Sequence, residues 1–315
     1  MIRYLFRRAG QAVAVLWIVT SATFVLIHLA PGGPAVLSDP KLTPVERAAI
    51  ERHLGIDRPL AEQYLVWHRN LLRGDLGRSF LYQRPAGATV LARVPNTLLL
   101  AGLALAVGLA LALPLGVRAG RRPDGPLARI ADLGSFVALA IPPFWFGIVL
   151  ILVFAATLRL LPAGGAATPG LEGSLLDRLR HLILPVAVLA LPISSELFRF
   201  ARSAVREALR APHVAPALAR GLAERLAVRR HVVRNALLPV ATIVGLQAPL
   251  LAGGAAITET VFAWPGMGRL GVEAAIGRDY PVVMAITLLV ALVVVSVNLA
   301  LDLAYRWIDP RFGER

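Results

Sequence analysis

The sequence predicts an all-α polytopic membrane protein with six transmembrane helices and a helical external segment after the first. Three observations carry that prediction. Of 315 residues, 57% are hydrophobic and only 17% charged, with a mean hydropathy of +0.67, a balance unlike that of water-soluble domains. Uncharged runs recur at about the 20 residues a helix needs to cross a hydrocarbon core. The arginines gather at the ends of those runs rather than along a binding stripe.

Residues 10–38, 97–117, 133–158, 235–258 and 280–301 contain no Asp, Glu, Lys or Arg, and each is long enough to span. A sixth segment, 182–195, is shorter and is followed by Glu196 and Arg199. Nine arginines lie between 199 and 234. They join Arg3, Arg7, Arg8, Arg118, Arg121, Arg122 and Arg129 on the cytoplasmic side only if 182–195 also crosses, as the positive-inside bias requires. Six spans with both termini cytoplasmic follow. The net charge of +14 therefore reads as membrane orientation, with no nucleic-acid partner. The basic start and apolar run that follows read as an uncleaved first helix, because the run outlasts a signal-peptide core and the PGGP after it lacks a small-x-small site.

The topology puts residues 35–95 outside. Thr43, Pro44 and Glu46 form a capping-box pattern that starts a helix ending near Gly55. Asp57 is placed to cap a second helix reaching Gly74, with Leu60, Tyr64, Trp67 and Leu71 as its apolar stripe. RGDLGRSF, residues 73–80, reads as the turn out of that helix. Pro114, Pro142, Pro143, Pro185, Pro192, Pro239 and Pro249 fall within the spans, which predicts kinked helices packed in a bundle.

Several chemistries are excluded. There is no cysteine, hence no disulfide, thiol nucleophile or thiolate metal site. The only lysine, Lys41, follows Pro40 rather than a glycine-rich loop, so ATP cannot be held in the P-loop manner. Ser194 and Ser195 have no base at hand, and the six histidines are scattered without ligand spacing. No cofactor is expected and no catalytic or metal site. Asp132, Glu196 and Asp302 lie near cytoplasmic ends of spans, where an i, i+3 pair of Glu196 with Arg199 would settle the interface rather than line an ion path.

Two segments are more specific. RFARSAVREAL leads into HVAPALARGLAERLAVRRHVVRNALLP, and Gly221 divides the latter into a short helix, a turn and a basic helix that enters the fifth span at Pro239. ETVFAWPGMGRL, residues 259–270, follows that span. With MIRYLFRR, LIHLAPGGPA, LLRGDLGRSF, IPPFWFG, RHLILP, RDYPVV and DPRFGER in this order, the chain resembles the permease subunits of ABC importers of the dipeptide, oligopeptide and nickel permease family. Residues 212–216, PHVAP, depart from the family's usual lead into the loop, which leaves open what lies upstream of Ala217.

The resemblance implies a type I ABC importer permease fold, organised as an N-terminal span (1–34), the external helical segment (35–94), a five-span transport domain (95–305) whose coupling loop covers about 199–238, and a tail (306–315). It implies a bacterial-type inner-membrane location and four kinds of partner: a second homologous permease, two cytoplasmic ATPase subunits, an extracytoplasmic solute-binding protein and the lipid bilayer. The ATPase-coupling residues are then Ala217, Ala219, Arg220, Gly221, Glu224, Arg225, Asn235 and Pro239. The external gate or docking turn comprises Glu259, Phe262, Trp264, Pro265, Gly266 and Gly268. Half of a translocation pathway, for peptides or a related small solute, is the implied function; substrates across the family include nickel and glutathione, and no residue cluster chooses among them. A stand-alone channel or intramembrane enzyme is the competing reading.

Overall fold

The computed structural model describes residues 2–38, 40–210, 244, 245, 247 and 255–308, and those residues are helical with short loops between. In chain order the helices are α1 (Ile2–Leu29), α2 (Pro44–Leu54), α3 (Leu60–Leu71), α4 (Ala86–Leu91), α5 (Val94–Arg121), α6 (Pro126–Ala140), α7 (Pro143–Leu150, continuing as a π-helical stretch, Ile151–Thr157), α8 (Leu175–Leu209), α9 (Ala256–Val261), α10 (Met267–Ile276) and α11 (Tyr280–Ile308). Among the described residues, four helical segments are long and apolar enough to cross a membrane, and the bent pair α6 and α7 makes a fifth if taken as one span. Most of the expected span at 235–258 lies outside the described residues.

The chain divides into two compact units, one of residues Met1–Thr97 with Pro265–Arg315, the other Leu98–Trp264. In the first, α1 packs along α11, and α4 and α10 pack on the start of α11. Ala86, Val90, Met267, Leu270, Ala274, Val282 and Ala285 form its core.

Local chemistry explains the short helices. Thr43 caps α2 through a complete capping box, with Pro44 in the first turn. Bonds from the Thr43 N–H and hydroxyl hold the Glu46 carboxyl below the ordinary carboxylate value. Gly55 ends α2 at φ 70°, with Gly55 N–H bonded to Arg52 O and Ile56 N–H to Glu51 O, the paired closure of a Schellman turn. Gly74, at φ 78°, closes α3 in the same way.

Asp57 does not cap α3. Pro59 takes that position without a side-chain hydrogen bond, because the helix begins only after the proline has set the chain extended. Along the expected stripe, Leu60 is exposed while Tyr64, Trp67 and Leu71 are half-buried. The half-buried part meets α1: Tyr64 Oη lies 2.7 Å from Ser21 Oγ and its ring packs edge-on against Phe24. His28 Nε2 lies 3.2 Å from Gln63 Oε1.

A buried carboxylate joins distant parts of this unit. Asp279, fully buried, accepts hydrogen bonds from Ser79 Oγ, from the Phe80 N–H at 3.0 Å and from the Leu81 N–H at 3.1 Å. The turn that presents it is a Schellman closure without glycine. Arg278 sits at φ 51°, with Arg278 N–H bonded to Ala275 O and Asp279 N–H to Ala274 O. The PGGP loop joins the same place, through Ala35 N–H to Gly277 O at 3.0 Å and Arg278 Nη1 to Gly33 O at 3.1 Å.

In the second unit, α5 and α8 approach at contact distance. A Cβ at Gly116 would lie 2.6 Å from Ala201 Cβ, and one at Gly108 or Gly120 2.8 Å from Ile193 or Val205. Gly108, Ala112, Gly116 and Gly120 recur every fourth residue, the small-residue stripe that lets membrane helices pack backbone to backbone. Arg202 of α8 pairs with Asp132 of α6. Glu196 accepts a hydrogen bond from Gln247, and Arg199 lies over the Phe136 ring, 5.3 Å from its centre. These are the contacts observed in place of the expected Glu196–Arg199 pair; the aromatic face on α6 draws the guanidinium away from its own helix.

The run 133–158 is not one continuous helix. α6 and α7 meet at 98°, because Ile141 (ψ 123°) and Pro142 (ψ 129°) are both extended before Pro143 opens α7; each precedes a proline, which disfavours the helical region, and here two such residues fall in succession. Single prolines behave differently: Pro114 lies within α5, and Pro185 and Pro192 within α8.

Two substitutions test this packing, read as the temperature at which half the detergent-solubilised chain loses monodispersity. Asp279→Ala leaves the buried Phe80 N–H and Ser79 hydroxyl and the part-buried Leu81 N–H without their acceptor and is expected to cost about 3 kcal/mol or more, with Asp279→Asn, which keeps an acceptor, costing less. Gly116→Val, which must push α8 away, is expected to cost at least about 2 kcal/mol, whereas Gly102→Ala, in open space, leaves stability unchanged.

Candidate functional site

Of the six gate or docking residues, Glu259, Phe262 and Trp264 belong to the Leu98–Trp264 unit, and Pro265, Gly266 and Gly268 to the other. On the Leu98–Trp264 side, α9 ends in another Schellman closure: Ala263 N–H bonds to Thr260 O at 3.2 Å and Trp264 N–H to Glu259 O at 2.8 Å. Ala263 occupies the left-handed position, φ 47°, where a Cβ costs roughly 1 kcal/mol. Closing α9 this way turns Phe262 and Trp264 inward.

Both rings are enclosed. Trp264 is fully buried against Leu100 of α5 and Leu182 and Val186 of α8. Phe262, 1% exposed, packs among Leu184 and Val188 of α8 and Phe146, Leu150 and Phe154 of the α7 arm. Glycine makes room for it: a Cβ at Gly147 would stand 3.2 Å from the ring. Glu259 is fully buried as well. None of these three side chains is presented on the surface of the chain.

The loop after α7 lies directly on this turn. Gly165 N–H donates to Phe262 O at 2.8 Å, and a Cβ at Gly164 would fall 2.5 Å from that same oxygen, so the contact is backbone on backbone. The loop is held in turn by α8. The Asp177 carboxylate accepts the Thr168 N–H at 2.7 Å and its hydroxyl at 2.8 Å. Buried His181 places Nδ1 3.1 Å from Gly165 O and Nε2 3.3 Å from the Thr168 hydroxyl. In the sequence His181 is one of six scattered histidines, and its contact with Gly165 emerges from the fold alone.

On the other side, Pro265 O accepts a hydrogen bond from Asn96 Nδ2 at 3.0 Å. Gly266 precedes the first turn of α10 in an extended conformation. The Met267 N–H donates to Thr97 Oγ1 at 2.7 Å. Gly266 and Gly268 are buried and Pro265 half-buried. Asn96 and Thr97 had no sequence signal: an Asn-Thr pair opening an apolar run reads as a helix start.

The coupling residues Ala217, Ala219, Arg220, Gly221, Glu224, Arg225, Asn235 and Pro239 lie outside the described residues. Among the described residues no group of three His, Cys, Asp or Glu side chains is placed to hold a metal ion.

The gate shell yields a prediction on backbone strain. Ala263→Gly is expected to be neutral or stabilising by up to about 1 kcal/mol, and Ala263→Val destabilising by more than about 1 kcal/mol. Gly164→Ala, which must lift the loop off Phe262 O, is expected to cost about 2 kcal/mol. Thermal unfolding of the three variants in one detergent checks the order.

Comparison with known proteins matches this arrangement to a family. The family model described as binding-protein-dependent transport system inner membrane component matches residues 112–314, and that of the N-terminal part of such components matches residues 1–101. The chain is 39% identical over 313 residues to the oligopeptide transport system permease protein AppB of Bacillus subtilis (strain 168), covering 99% of both chains. It is 32% identical over 338 residues, with all of both chains covered, to the dipeptide transport system permease protein DppB of Escherichia coli (strain K12). Against the di/tripeptide transport system permease protein DppB of Pseudomonas aeruginosa (strain UCBPP-PA14) it is 35% identical, over 99% of this chain and 98% of that one. Among solved structures, an inward-facing MetNI methionine ABC transporter superposes with a TM-score of 0.55 at 19% identity, covering 70% of this chain and 95% of that one. An amino acid ABC transporter solved with histidines superposes with a TM-score of 0.53 at 16% identity, over 70% and 94%. These two show a shared fold.

Proposed function

Because the chain belongs to the family of binding-protein-dependent transport system inner membrane components, and is thus a multi-pass inner-membrane transport subunit rather than an enzyme, we propose that it forms half of the translocation pathway of an ATP-driven importer of short peptides. The observation that carries the reading is end-to-end similarity, 39% identity over 99% of both chains, to an oligopeptide permease. In this reading the chain spans the membrane six times with both termini in the cytoplasm and residues 35–94 outside. It pairs with a second permease and two ATPase subunits, fed by an external solute-binding protein. Its lack of any lysine but Lys41 fits a subunit that leaves ATP to other chains.

The length of α8 supports the coupling role of the loop after it. Its 35 residues amount to about 52 Å of helix, against a hydrocarbon core of about 30 Å. The last three turns, bearing Arg199, Arg202 and Arg206, extend the helix past its apolar part and carry the loop beyond the bilayer surface. Gly221 then permits the sharp turn, Ala217 and Ala219 permit close approach to the ATPase, and Arg220, Glu224 and Arg225 are its polar contacts. The basic helix returns through Asn235 and Pro239 to the fifth span. ATP acts by stabilising one of two states of the bundle over the other.

Burial of Glu259, Phe262 and Trp264 favours a gate over a docking face for the turn at 259–268. Substrate passage would require the rings to leave the enclosure described above, and the work would come from the ATPases. The absence of cysteine makes the test direct. In the reconstituted complex a single cysteine at position 264 is expected to be shielded from a thiol reagent in one nucleotide state and labelled in the other; labelling that never changes with nucleotide rejects the gate. Gly221→Trp and Glu224→Arg are expected to abolish ATP-dependent dipeptide uptake and weaken ATPase assembly. Uptake by this chain alone, in vesicles without ATP, would overturn the importer reading.

A further inference from the structure

A cavity of about 390 Å³ lies within the Met1–Thr97 and Pro265–Arg315 unit, a size typical of small-molecule sites. Its walls are the C-terminal end of α1, the helices α2 and α3, the 77–83 loop and the start of α11.

The lining is divided by chemistry. Phe24, Ile27, Val66, Pro281 and Met284 make an apolar side, and Arg52, His53, Arg58, Arg78 and His28 supply a basic one. Among the described residues no aspartate or glutamate lines it. Arg58 is paired with Glu62 at 3.1 Å. Arg52 and Arg78 have only backbone acceptors, Ala48 O at 3.2 Å and Gln83 O at 2.8 Å, so among the described residues their charges face no carboxylate. Trp67, also in the lining, has a buried indole N–H with no acceptor among the described residues.

The position of the cavity identifies the ligand class. Phe24 and Ile27 belong to the last two turns of the apolar helix α1, and their neighbours Val25, Leu26 and Leu29 are 52%, 66% and 73% exposed. In a membrane those neighbours face lipid, so the cavity stands beside the end of a lipid-facing helix. A free phosphate would leave the apolar side empty. A zwitterionic peptide would bring an ammonium group into a basic cavity without a carboxylate to receive it.

We propose that this cavity binds an anionic phospholipid of the adjacent leaflet, with the phosphodiester at Arg52 and Arg78 and the glycerol and first acyl carbons against Phe24, Ile27 and Met284. The lipid ties α2 and α3 to the end of α1. This holds whichever face of the membrane residues 35–94 occupy and whatever the chain transports.

The test uses the full chain, purified, stripped of lipid and incubated with equimolar short-chain phosphatidylglycerol and phosphatidylcholine, with retained lipid counted by native mass spectrometry. One phosphatidylglycerol per chain is expected to be retained over phosphatidylcholine by about tenfold. Arg52→Gln with Arg78→Gln is expected to lower that retention about tenfold or more, as juxtamembrane arginines each contribute roughly fivefold. Arg52→Lys with Arg78→Lys keeps most of it and guards against misfolding. Arg47→Gln with Arg69→Gln removes equal charge from α2 and α3 outside the cavity, and leaves retention unchanged. Equal retention of the two lipids, or equal loss in the two Gln pairs, overturns the proposal. Displacement of phosphatidylglycerol by millimolar inorganic phosphate or by a dipeptide also overturns it, in favour of a free-anion or substrate site.

Discussion

The buried carboxylate of Asp279 organises one of the two units. A charge taken out of water is tolerated only where donors replace the lost hydration, and here the Ser79 hydroxyl and the N–H groups of Phe80 and Leu81 do so. The donors come from the turn after α3 and the acceptor from the turn before α11, 200 residues apart in sequence. The PGGP loop closes on the same turn. Thus polar bonds, beside the apolar core of this unit, set the hydrophilic segment and the PGGP loop against the start of α11.

The other unit is built on close backbone approach. Gly108, Gly116 and Gly120 bring α8 against α5, Gly147 admits Phe262, and Gly164 lies on Phe262 O. Between apolar helices in lipid there is little hydrophobic force left to gain, and packing of small residues takes its place. The enclosure around Phe262 and Trp264 follows, and with it the possibility of two discrete arrangements, since a tightly packed socket is filled or vacated rather than gradually deformed.

Helix ends show what was legible and what was not. Thr43, Gly55 and Gly74 mark their boundaries by residue type, and each boundary was readable because the side chain, or its lack, is what makes the local bond or permits the left-handed φ. Ala263 and Arg278 occupy the same left-handed position without the glycine that announces it. Those two closures present the buried rings of the candidate site and the buried carboxylate that holds the 79–81 turn. Asp57 shows the converse: a good capping residue was overruled by Pro59 two positions on.

By itself the sequence determined what resides in nearest neighbours along the chain: the apolar runs, the arginines that orient them, the capping box, the lack of any ATP-binding lysine and the ordered motifs of a transport permease. Only the tertiary structure decided that Ser79 serves Asp279, that His181 holds the loop lying on Phe262, that paired prolines break the third run at 98° where single prolines do not, and that Phe262 and Trp264 face inward. The physical reason is the same in each case. Such contacts join residues far apart in sequence, and their free energy depends on what is excluded from water around them, a property that no local pattern of residues carries.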